Sequence, residues 1–112
     1  MTDREMLELA ARAAGYDFGE YGGRPARQVT TKIGTAWIYW NPLTDDGDTQ
    51  RLAVDLRFET DVTDSGVAVR TKCGLKVLVS TKEEPDLRAA ARLATFRAAA
   101  EIGRQMEEAS ND

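Results

Sequence analysis

Histidine is absent from this 112-residue chain. That removes the commonest general base, the usual zinc ligand and most nucleophilic triads at once. Cysteine occurs once, as Cys73, so no intrachain disulfide can form and no cysteine cluster can hold a metal. A reducing cytoplasm is the expected setting. No uncharged apolar run approaches the roughly 18 residues that a membrane span requires, and the amino terminus lacks a charged-then-apolar signal pattern. The expectation is a chain neither exported by that route nor anchored in a membrane. An excess of basic charge is also missing: 15 Lys and Arg stand against 19 Asp and Glu, a net charge of −4. Nucleic-acid binders usually gain affinity from a basic stripe that neutralises phosphates, so nucleic acid is not an expected partner. Arg24, Arg27 and Lys32, and again Arg88, Arg92 and Arg97, cluster locally, and solvated faces balanced by Glu83, Glu84 and Glu101 account for them. Neither a GxxxxGK[ST] phosphate loop nor a GxGxxG turn occurs.

What is present reads as one globular domain spanning residues 1–112. Hydrophobic residues make up 42% and charged residues 30%, a balance that supports one core without metal or disulfide staples. A chain of this length buries about two thirds of the surface its unfolded form exposes.

Local punctuation marks the elements. Thr2 with Glu5 forms a capping-box pattern and Gly15 is a stop, which predicts a helix over Asp3 to Ala14 with Met6, Ala10 and Ala13 on its apolar face. From Gly15 to Gln28 five glycine or proline residues predict an irregular connection, in which Tyr16, Phe18 and Tyr21 either form a ligand platform or cover a core edge. Val29 to Lys32 and Thr35 to Trp40 read as a hairpin about Gly34. Both sides of the second strand are apolar, which predicts cover on both faces. Asn41 and Pro42 end it.

Leu52, Val54, Leu56 and Phe58 alternate like a strand, but Thr44, Asp45, Asp46 and Asp48 ahead of them resemble a helix start. The helix reading, Asp45 to Arg57, is preferred. A short strand is expected at Phe58 to Val62, then a hairpin of Val67 to Lys72 with Leu75 to Ser80. Pro85 and neighbouring acids open a long final helix, unbroken to Ala109 except at Gly103. Its stripes, Leu87, Ala91, Ala94, Ala98 and Ile102 beside Ala89, Leu93, Phe96 and Ala100, are broad and mostly small.

The run WNPLTDDGD from Trp40 to Asp48, then Arg51 to Val54, together with AAAEIGR from Ala98 to Arg104, resembles the phage ABA sandwich family of small bacteriophage and prophage proteins. The resemblance covers the middle and end of the chain. It implies a sheet with helices on both sides and no assigned biochemical activity. Combined with the strand pattern, the expected fold is α+β: a layered α/β/α sandwich on a mainly antiparallel sheet of about four strands.

No catalytic residue, metal ligand or cofactor is assigned, and the chain is not expected to be an enzyme. Asp45, Asp46 and Asp48 lack the spacing of a calcium-binding loop, and helix capping explains them better than a metal. Cys73, beside Lys72 in a turn, has no base to activate it. The expected function is capture of a host protein or a small molecule inside the bacterial host cell, or alternatively a structural role as a virion or assembly accessory. The candidate binding residues are Trp40, Asp45, Asp46 and Asp48, because that run is more distinctive than a strand-to-helix connection requires. A purely structural account competes: Trp40 fills the core, Pro42 stops the strand, and Thr44 or Asp45 caps the helix. A homodimer is expected through Ala94, Ala98 and Ile102 of the long helix.

Overall fold

Capping chemistry sets where the helices begin and end. In the computed structural model, which describes residues 2–110, helix α1 (Asp3–Ala14) opens on the expected box. Glu5 N donates to Thr2 Oγ1 at 3.1 Å and Thr2 N to Glu5 Oε1 at 3.3 Å. Gly15 closes it with a left-handed φ of 75°. Two strands follow, β1 (Asp17–Tyr21) and β2 (Arg24–Thr31), where an irregular connection was expected. The physical reason is the pair Gly22 and Gly23, with φ of 60° and 77°. Two consecutive positive-φ residues make the two-residue hairpin turn whose twist matches that of the strands.

Strand β3 (Gly34–Tyr39) completes sheet A in the order β1-β2-β3. Helix α2 (Asp46–Asp55) forms as preferred over a strand, with Asp45 as its N-cap. Strands β4 (Glu59–Thr63), β5 (Gly66–Arg70) and β6 (Lys76–Ser80) make sheet B, again in sequential order, with Val67 opposite Val79 and Val69 opposite Val77. The final helix, α3 (Leu87–Ser110), follows.

The chain is therefore α+β and its sheets are antiparallel, but among the described residues the strands number six in two sheets and not about four in one. Every pairing joins sequential neighbours, and α2 separates the two sets of hairpins. Each sheet is completed before the next begins.

Helix α3 serves two cores. Ala90, Ala94 and Ala98 recur every four residues on the side facing Val67, Val69 and Val79 of sheet B. Phe96 and Ala99, on another side, join Leu7, Ala10 and Ala11 of α1, Leu52 of α2 and Trp40. Ala94 and Ala98, two of the three residues expected to hold a second copy, are fully buried under sheet B, and Ile102 is half-buried. Among the described residues, no helix is long and apolar enough to cross a membrane.

The expected two-sided cover of the second strand also fails. All six positions of β3 are exposed, with Trp37 at 38% and Tyr39 at 47%, and only Trp40, just beyond it, is buried. The face of sheet A bearing Phe18 and Trp40 packs on the α1–α2 core. On its other face Asp17, Gln28 and Trp37 border a wide depression shared with α1 and the end of α3.

Where α1 crosses α3 the backbones touch. A Cβ added at Gly103 would lie 1.9 Å from the carbonyl oxygen of Leu9 and 2.6 Å from its carbon. The residue that reads as a helix breaker is a contact point. Gly103→Ala should therefore destabilise the fold by about 3 kcal/mol, despite the better helix propensity of alanine, because backbone must be displaced. In a thermal melt this corresponds to a fall on the order of 10 °C. An unchanged or raised melting temperature would show that the helices cross elsewhere.

Candidate functional site

The strand-to-helix connection after β3 is held by its own polar groups. Asn41 Oδ1 accepts from Leu43 N at 3.0 Å, which folds the chain around Pro42. Asp45 Oδ1 accepts from Asp48 N at 2.8 Å, capping α2. Thr49 Oγ1 donates to Pro42 O at 2.6 Å. Asp48 is 8% exposed and accepts from Asn41 N at 3.0 Å and from Arg51 at 2.9 Å. Asp46 meets Arg92 of α3 at 2.6 Å, while Arg92 Nε also donates to Leu43 O at 3.0 Å.

Trp40, at 2% exposure, sits in the core with Tyr16 and Phe18 edge-on to its ring, at centroid distances of 5.7 and 6.0 Å. The four residues expected to bind a partner are thus brought together, but as a clasp that ties the end of β3 to α2 and α3. Trp40 and Asp48 offer almost no surface, and Asp45 and Asp46 have intramolecular partners. Among the described residues, no group of three or more histidine, cysteine, aspartate or glutamate side chains converges as a metal site.

Sheet A presents a different surface, which the sequence reading divided between a loop and a core strand. Antiparallel register places Tyr21, Arg24, Ala26, Trp37 and Tyr39 on one face. The Trp37 ring lies across the sheet onto Gly19, where a Cβ would come within 2.8 Å of it, and Ala26 beneath is fully buried. The rings of Tyr21 and Tyr39 are 5.9 Å apart, and the Arg24 guanidinium stands 4.1 Å over the Tyr39 ring. Ile33 at the β2–β3 turn is 99% exposed. Exposed aromatic side chains gathered on one face in this way mark an interaction surface more often than isolated apolar residues do.

The free edge of β3 adds to it. Trp40 N donates to Pro25 O at 3.0 Å, and hydrogen-bonded pairs alternate along an antiparallel ladder. Ile38 and Ala36 therefore bond to β2, while the amides and carbonyls of Thr35, Trp37 and Tyr39 point away from it. From Gly34 to Tyr39 there is no charged residue and no proline, the usual devices that blunt an edge. The signal was legible in the exposed aromatic alternation, but alternation assigns sides without saying which side is covered.

The opposite face is locked to the core. Tyr16 donates its hydroxyl hydrogen to Asp55, and the Arg27 guanidinium stacks 3.6 Å above the Tyr16 ring. Burial first, and then the bond to Asp55, raise the Tyr16 pKa above its ordinary 10.0. Cys73 is exposed in the β5–β6 turn, and the Thr71 hydroxyl, 3.1 Å from Sγ, lowers its pKa.

Comparison of the chain with protein-family models, curated proteins and solved structures finds no match.

The clasp makes a graded prediction. Asp48→Ala strands the part-buried Asn41 amide and should cost about 2 kcal/mol. Asp46→Asn loosens an exposed ion pair and should cost less than about 1 kcal/mol. Urea denaturation of the two variants measures both, and equal losses would contradict the ranking.

Proposed function

We propose that this chain is a non-enzymatic binding protein that captures a host protein by accepting an extended segment of it along β3. Its phage or prophage origin, and a site of action inside the bacterial host cell, are what the resemblance of the Trp40 to Asp48 and Ala98 to Arg104 runs implies. The observation that carries the reading is the open edge itself: six exposed, uncharged residues whose outward backbone groups lie beside the Trp37–Tyr39 platform.

Strand addition gives affinity through main-chain hydrogen bonds and specificity through alternate side chains. Here Trp37 and Tyr39 would supply the side-chain contacts. Aromatic residues on a fixed backbone give large contact area at small entropic loss.

Charge selects the kind of segment. Exposed Arg24 lies beside Tyr39 at one end of the edge, and exposed Lys32 lies next to Gly34 at the other. A segment with an apolar centre and acidic ends complements both. A second copy of β3 fits less well, because antiparallel self-pairing would bring the Lys32 end of one chain against the Arg24 end of the other. Like charges facing one another oppose association.

Selection from a random-peptide display library on the immobilised chain tests the reading. Enriched peptides should share an apolar centre flanked by Asp or Glu, and Trp37→Ala or Ile38→Lys should weaken them at least tenfold while circular dichroism shows an intact fold. Peptides that bind Trp37→Ala unchanged would overturn the proposal. So would light scattering that gave twice the 12.3 kDa chain mass and returned to 12.3 kDa on Ile38→Lys, since the edge would then belong to a second copy.

A further inference from the structure

Among the described residues, Arg57 is the one non-glycine with positive φ, at 56°. It follows the C-cap of α2, Leu56. Arg57 N donates to Val54 O at 3.1 Å and Phe58 N to Ala53 O at 2.9 Å. This pair of bonds closes a helix through a left-handed residue, a place glycine usually fills because an L side chain is disfavoured there. The turn sends Phe58 back to the junction of the two cores, where it packs against both. Turn geometry alone asks for glycine, and the chain carries an arginine.

The surroundings give that arginine a use. Arg57, Arg70, Lys72 and Lys76 line a surface depression of about 280 Å³ with Glu59, Thr71 and Gly74. Sheet register sets Glu59, Arg70 and Lys76 in one row across β4, β5 and β6, and Lys72 follows in the turn. None of the four cations forms an ion pair with a described carboxylate, a property they share with Arg24, Arg27, Lys32, Lys82 and Arg88; what sets the four apart is that they line one depression. Four cations around one carboxylate reverse the sign of a chain whose net charge is −4.

We infer that this depression is a binding site for a small phosphate-bearing ligand, a phosphomonoester. Guanidinium groups bind phosphate through two parallel N–H···O bonds, and ammonium groups add point charges without a fixed direction. Arg57 and Arg70 take the first role, Lys72 and Lys76 the second. Glu59 is placed to accept a hydroxyl of the same ligand. The volume falls just below the range of drug-sized pockets, which run from about 300 Å³ upward, and suits a phosphorylated sugar better than a duplex. The disfavoured conformation at Arg57 is retained at a functional site, as backbone strain often is. The site lies on sheet B and does not depend on the reading of β3.

Calorimetric titration at constant ionic strength, with ribose 5-phosphate as probe and sulfate as control, tests it alongside thermal melting. Arg57→Gly should melt above the parent chain without ligand, since glycine relieves the left-handed turn, and should bind ribose 5-phosphate at least tenfold more weakly. Arg70→Gln with Lys76→Gln should weaken binding as much, with the fold retained. Unchanged affinity in Arg57→Gly, a lowered melting temperature in that variant, or equal affinity for sulfate would each overturn the inference. Tenfold tighter binding of a single-stranded oligonucleotide than of ribose 5-phosphate would also overturn it, since the patch would then serve a nucleic-acid backbone.

Discussion

The contact between Gly103 and the Leu9 carbonyl governs how the whole chain is assembled. Helices normally pack with axes 8 to 10 Å apart, a spacing set by the side chains between them. Removing the side chain at the crossing lets α1 lie directly on α3. That approach buries Ala10, Ala11 and Ala99 completely, and it leaves α3 free to present Ala90, Ala94 and Ala98 to sheet B. A helix of 24 residues extends about 36 Å, enough to serve two small cores in succession. Small residues along it allow close packing on both sides, so one helix joins hairpin sets that never pair with each other.

This arrangement explains why the two sheets have open faces. Sheet B rests on α3 through Val67, Val69 and Val79, while Leu78 on its other face is 64% exposed. Sheet A rests on the α1–α2 core through Phe18 and Trp40, and its Trp37 face is left partly open. Three helices are shared between two sheets, and one side of each remains for solvent or for a partner. The proposed protein-binding edge and the phosphate depression lie on these uncovered parts.

Helix boundaries were legible in the sequence because their causes are local. Thr2 with Glu5, Gly15, and Asp45 ahead of α2 are each readable within four residues, and the structure places them as expected. The β5–β6 hairpin was legible too, but its turn is longer than Cys73 and Gly74: β5 ends at Arg70 and β6 begins at Lys76. What escaped depends on distant chain segments. Gly22 and Gly23 read as part of an irregular connection because the strands they join lie on either side of them. Trp37 looked buried because its strand is apolar on both sides, and only the position of α1 and α3 decides that one side stays open. Gly103 looked like a breaker because Leu9 lies 94 positions earlier in the sequence. In the candidate site Trp40, Asp45, Asp46 and Asp48 do come together, in the arrangement the structural account expected, with Trp40 in the core and Asp45 capping α2. Arg57 left no trace in the sequence beyond the absence of glycine after α2.

The central functional claim is that β3 is an open, pairing-competent edge, and amide hydrogen exchange along that strand tests it most directly. With the edge open, the amides of Ala36, Ile38 and Trp40 exchange slowly because they bond to β2, and those of Thr35, Trp37 and Tyr39 exchange near the rate of unstructured peptide. Uniform slow exchange across all six amides in the isolated chain would contradict it, since the edge would already be covered.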